Sequence, residues 1–178
     1  TEEILGTLEK HHTVATFFWL PNTEISEKRI SRLLAGGHEL GAHTINHTSL
    51  TGMSTSEIIR ELSLNLKLFH NLSAHKVNLF RPPFGATTKN INRVIEKRGL
   101  KVVLWSSGGK YPPDKEHEIK EAQKMKEGDI MLLHLEHNEA QGAAQHLNNI
   151  LYALPKDIPR YTISECMLSN PPSTKPEK

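Results

Sequence analysis

The chain has 178 residues, 37% hydrophobic and 24% charged, with 22 Lys and Arg against 20 Asp and Glu for a net charge of +2. That length supports one domain with a real core and leaves two cramped, and the composition favours a folded chain over a disordered one. The balanced, interspersed charge gives no reason to expect nucleic acid or an anionic membrane as partner, and no apolar run is long enough to span a bilayer.

Thr1-Glu2-Glu3-Ile4 is neither basic nor followed by a long apolar region, so it does not read as a signal peptide, and the absence of an initial Met suggests a fragment or processed form. A single cysteine, Cys166, excludes an internal disulfide framework. Residues 2–11 read as a helix with Ile4, Leu5 and Leu8 on one side. Residues 14–20, Val-Ala-Thr-Phe-Phe-Trp-Leu, form the continuous apolar run of a strand buried on both faces, ended by Pro21-Asn22. A helix capped by Ser26 turns Ile30, Leu33 and Leu34 inward and stops at Gly36-Gly37, and residues 39–43 are the next strand, with His43 at its end. Ser54-Thr55-Ser56-Glu57 is a capping box opening a long helix that carries Ile58, Ile59, Leu62, Leu66 and Phe69.

Residues 77–80 read as a strand running into Arg81-Pro82-Pro83-Phe84-Gly85. A helix over 89–98, a strand over 101–105, a loop over 106–114 and a polar helix over 116–126 follow. Residues 130–134 are the next strand, 142–154 a helix, and 160–163 a final strand, for six strands with helices between them. The tail from Asn170 is rich in Pro, Ser and Lys and is expected to be disordered. Strands alternating with helices imply an α/β fold with parallel pairing. Chemistry gathers at strand C-terminal ends in such folds, and His43, Arg81, Trp105 and His134 all fall there.

His43 and His47 stand four apart, a spacing that lets two neutral imidazoles share one zinc-like ion, although chance alone makes about 0.7 such pairs in a chain this rich in histidine. His38 reads as structural, His137 as a loop residue, and His11, His12, His70, His75, His117 and His146 as surface residues. Asn71-Leu72-Ser73 fits a glycosylation sequon.

Taken in order, Ala15-Thr16-Phe17-Phe18, Gly37-His38-Glu39 with His43-Thr44-Ile45-Asn46-His47, Phe80-Arg81-Pro82-Pro83-Phe84-Gly85, and Leu132-Leu133-His134 resemble the motifs of the polysaccharide deacetylase family, the NodB-homology domain of carbohydrate esterase family four. The resemblance covers residues 1–168, with 169–178 left as a disordered tail. It implies a deformed (β/α) barrel whose first strand is missing from this chain. It also implies metal-dependent hydrolysis of acetyl groups on N-acetylated or O-acetylated glycans such as chitin or peptidoglycan, and a secreted or cell-surface location. By the same resemblance His43 and His47 are metal ligands, His134 is the general acid and Arg81 orients the base. Pro82, Phe84, Gly85, Trp105 and Leu133 line the substrate site. The metal implied is divalent, zinc first and cobalt or nickel next.

Two departures bear on this. The family's T-F-D-D-G motif, which supplies the aspartate base and an aspartate ligand, has no counterpart in residues 1–178. After Trp105-Ser106 the family's aspartate and tryptophan are replaced by Gly108 and Pro112. Two ligands are fewer than catalytic zinc usually has, so weak or absent metal binding by this form is an expectation. The alternatives are a catalytically impaired member that binds glycan or metal, and a deacetylase of small amidic substrates. A barrel lacking its first strand would expose sheet edges, so low stability or self-association is expected, with the oligomeric state open.

Overall fold

The computed structural model describes residues 2–20, 26–73, 75–134 and 140–169. In chain order the elements are α1 (Glu2–Lys10), β1 (Thr16–Trp19), α2 (Glu27–Ala35), β2 (Glu39–Ala42), α3 (Thr55–Ser73) and β3 (Leu79–Phe80). There follow a 3-10 turn (Pro83–Gly85), α4 (Lys89–Glu96), β4 (Lys101–Val102), β5 (Ser107–Gly108), α5 (Lys115–Ala122), β6 (Met131–Leu132), α6 (Ala140–Ala153) and α7 (Ile163–Ser169). The chain divides into two compact units, one of residues 16–104 and one of residues 1–15 with 105–178.

The 16–104 unit is a parallel sheet in the order β1-β2-β3-β4. β1 pairs with β2 from Thr16 opposite Glu39 to Trp19 opposite Ala42, and Ala42 in turn lies opposite Phe80. Helices α2, α3 and α4 pack Ile30, Leu33, Ile58, Leu62, Phe69, Ile91 and Ile95 onto Leu40, Ala42 and Phe80. Each helix starts where local chemistry directs it. Ser26 and Thr88 accept from Arg29 N and Ile91 N, and in the Ser54–Glu57 box the Ser54 N–H donates to Glu57 Oε2 at 2.7 Å while Ser54 Oγ accepts from Glu57 N at 3.3 Å. The strands are shorter than the sequence suggests. The 14–20 run forms only β1, and Thr16, Phe17 and Phe18 are half-buried rather than enclosed on both faces. Regular pairing spans only two residues each in β3 and β4, although Val103 N still reaches Phe80 O at 2.9 Å.

The second unit packs α1 and α5 on α6 and pairs β5 with β6 in parallel. Three expectations are corrected here. The 106–114 segment contains a strand, β5, because Gly109 N donates to Leu132 O at 2.9 Å. Residues 160–163 form no strand. Instead Thr162 and Glu165 make a second capping box, Thr162 N to Glu165 Oε2 at 2.8 Å and Glu165 N to Thr162 Oγ1 at 3.3 Å, which opens α7. His146 is not a surface residue: it is 6% exposed, and its Nε2 lies 2.6 Å from Oε2 of Glu118, itself 1% exposed. A polar helix at 116–126 hides that buried carboxylate from a periodicity argument. The strand end at Pro21-Asn22, His137 and the tail from Asn170 lie outside the described residues.

Candidate metal and substrate site

Register places His43 and Arg81 side by side. They are the residues just past Ala42 and Phe80, which pair at the C-terminal ends of β2 and β3. Arg81 N donates to Ala42 O at 3.0 Å, and His43 Nδ1 lies 2.6 Å from Arg81 O. A carbonyl only accepts, so Nδ1 carries the hydrogen and the neutral ring keeps its lone pair on Nε2. That is the tautomer and support of a metal-ligating histidine, in which a backbone carbonyl fixes one ring nitrogen.

The chain between the two histidines turns back sharply. Thr44 and His47 adopt φ of 62° and 56°. Non-glycine residues in this region cost about 1–3 kcal/mol each, and for a β-branched threonine the conformation is a true outlier. The result is that the His43 and His47 rings come to 4.9 Å between centroids. His47 also packs on Phe84 at 4.6 Å. Phe84 is 69% exposed and itself left-handed, φ 59°, in the turn after Pro82 and Pro83. Gly85, at φ 66°, continues that turn.

Arg81 is 6% exposed. Its guanidinium lies 4.0 Å from the Phe18 ring centroid, and Nη2 donates to Leu104 O at 3.4 Å. Burial lowers its pKa to about 10, so it stays a cation at neutral pH. Phe18 can lie across the neighbouring strand because residue 41 is glycine. A Cβ there would sit 2.5 Å from the Phe18 ring.

In the other unit, His134 is half-buried and meets Tyr111 edge-on at 5.6 Å. Leu133 and Trp105 are half-buried too. Gly109 packs under Trp105, leaving 2.4 Å between a Cβ at that position and Nε1. Gly108 has φ 73°, and a Cβ on it would lie 2.3 Å from Leu132 O. The backbone at 108 therefore has no room for the aspartate that the motif comparison suggested for it.

Thus His43, His47, Arg81, Pro82, Phe84 and Gly85 come together in one unit, and Trp105, Leu133 and His134 belong to the other. Sequence reasoning missed Phe18, Gly41, Glu61, Asn65 and Tyr111. One signal existed: Asn65 interrupts the apolar stripe Ile58, Leu62, Phe69 at a position that is fully buried. Among the described residues no cluster of three or more His, Cys, Asp or Glu closes around a metal position. The two imidazoles nonetheless fit as part of a ligand set for a zinc-like ion.

The profile of the polysaccharide deacetylases matches residues 1–103, a span that includes His43, His47 and Arg81 to Gly85 but stops short of Trp105 and His134. A peptidoglycan-N-acetylglucosamine deacetylase of Listeria monocytogenes is 34% identical over 107 residues, 60% of this chain and 22% of that protein. The chain thus spans less than a quarter of that relative's length. A peptidoglycan-N-acetylglucosamine deacetylase of Bacillus cereus is 30% identical over 94% of this chain and 81% of its own length. Among solved structures, the carbohydrate esterase family four domain of a multidomain xylanase from the hindgut metagenome of Trinervitermes trinervoides superposes with a TM-score of 0.82 at 24% identity, covering 94% of this chain and 83% of that one. That likeness shows the expected fold class, the α/β fold of these domains. The chain belongs to the polysaccharide deacetylase family.

Proposed function

We propose that the chain is a metal-dependent deacetylase that hydrolyses the acetamido group of N-acetylated glycans, peptidoglycan or chitin, to acetate and a free amine. The family is metal-dependent as a rule. The observation that carries the reading is the His43–His47 pair, 4.9 Å apart, with Nδ1 of His43 tied to the Arg81 carbonyl. His43 and His47 would hold a divalent cation, with zinc, cobalt and nickel all suited to imidazole. Such a cation supplies Lewis acidity, polarising an acetyl carbonyl and easing deprotonation of water. His134 would give a proton to the departing nitrogen. The Arg81 guanidinium would orient a carboxylate base. Phe84, exposed beside His47, and Pro82, Gly85, Trp105 and Leu133 would contact the sugar. Among the described residues no helix is long and apolar enough to cross a membrane.

The test is acetate release from N-acetylated chito-oligosaccharides and from peptidoglycan in the presence of zinc or cobalt. Release that disappears in His43→Ala and His47→Ala is expected. No release with any metal, or full release by His47→Ala, would end the reading. One observation favours the impaired alternative, which binds glycan or metal without turnover: Gly108 cannot be exchanged for the missing aspartate without moving the Leu132 carbonyl. Glycan binding without acetate release would select it.

A further inference from the structure

Two left-handed residues, Thr44 and His47 itself, shape the turn from His43 to His47 and need something to hold them. Both polar groups of one peptide unit in that turn are gripped by a single helix. Asn65 Nδ2 donates to the carbonyl of Thr44 at 2.6 Å, and Glu61 Oε2 accepts from the N–H of Ile45 at 3.1 Å. The carbonyl of Thr44 and the N–H of Ile45 belong to the same peptide bond. Glu61 and Asn65 stand one turn apart on α3, on neighbouring positions of one face. Thr44 and Asn65 are both 0% exposed, so no water can replace Asn65 at the Thr44 carbonyl.

From this geometry we infer that Glu61 and Asn65 are positioning residues. By fixing the Thr44–Ile45 peptide plane they hold Thr44 left-handed, and so keep the His43 and His47 rings turned toward one cation. The two bonds are complementary in sense, a donor on the carbonyl and an acceptor on the N–H. Glu61 Oε2, which only accepts, would face a carbonyl oxygen if that peptide rotated by a half-turn. The inference rests on the reading that His43 and His47 ligate a cation, and its test separates the two.

Zinc affinity of the full chain is measured by competition with a chromogenic chelator, and exchange of the Ile45 amide is followed by NMR without metal. Asn65→Ala and Glu61→Ala are expected to lose about 10–100-fold in zinc affinity, the range for groups that support a ligand. Glu61→Gln, whose side-chain carbonyl still accepts from Ile45, should stay close to wild type. Leu66→Ala, half-buried on the same helix, should lower stability without changing affinity, which separates positioning from general loosening. In Glu61→Ala and Asn65→Ala the Ile45 amide should exchange faster than in Leu66→Ala. Unchanged zinc affinity with an Ile45 amide as protected as in wild type would overturn the inference. If zinc binds wild type no better than His43→Ala, the ligand reading fails on its own. Amide exchange then decides the clamp: protection lost in both alanine variants supports it, and protection retained overturns it.

Discussion

Replacing His146 by leucine should bring the protein close to unfolding. Glu118 is 1% exposed and its Oε2 lies 2.6 Å from His146 Nε2, while Oε1 has no partner among the described residues. Without the imidazole the carboxylate loses the one side-chain bond it has on α6. Removing one member of a buried pair costs about 3–5 kcal/mol, because the other is left desolvated and uncompensated. Domains have roughly 5–15 kcal/mol to lose in total. Replacing both residues, Glu118→Met with His146→Leu, removes the desolvated polar groups together and should return the stability to within about 1 kcal/mol of wild type, or above it. The assay is urea unfolding at neutral pH followed by far-UV circular dichroism, run on all four corners of the cycle. The coupling should be at least about 3 kcal/mol, at or above the top of the range for contacting residues. His146→Leu costing less than about 1 kcal/mol, or a double variant whose losses simply add, would refute the view that this pair is buried and mutually dependent.

Gly108→Asp should destabilise by about 2 kcal/mol or more and break the β5–β6 pairing without raising acetate release, since a left-handed non-glycine residue would meet Leu132 O. Activity gained by that variant would show the backbone reading wrong. Gly41→Ala should push Phe18 off the neighbouring strand, costing about 1–3 kcal/mol by overpacking and releasing Arg81 from its ring; a fully native melt would contradict this. Glu57 has its pKa held below the ordinary carboxylate value by hydrogen bonds from the Ser54 hydroxyl and N–H. Its cap therefore stabilises α3 above that value and is lost as pH falls through the lowered one. Ser54 amide protection should fall on acidification in wild type and stay flat in Glu57→Gln. Parallel pH profiles in the two proteins would refute the assignment.

The sequence determined the parts of this protein whose causes are local. Ser26, the Ser54–Glu57 box and apolar residues at helical spacing placed α2, α3 and α4, because caps and one-sided burial act over a few residues. The ordered motifs pointed to the family that the profile match then showed. Tertiary structure decided what depends on distant neighbours. Whether Asn65 and Glu118 are buried, whether a capped segment such as 162–169 becomes a helix, and how far a strand pairs are set by what packs against them. The positive φ of Thr44 and the room denied at Gly108 are likewise invisible in one dimension. A turn of that kind is held by bonds from another element, here α3, and an amino-acid sequence names its residues without saying which of them meet.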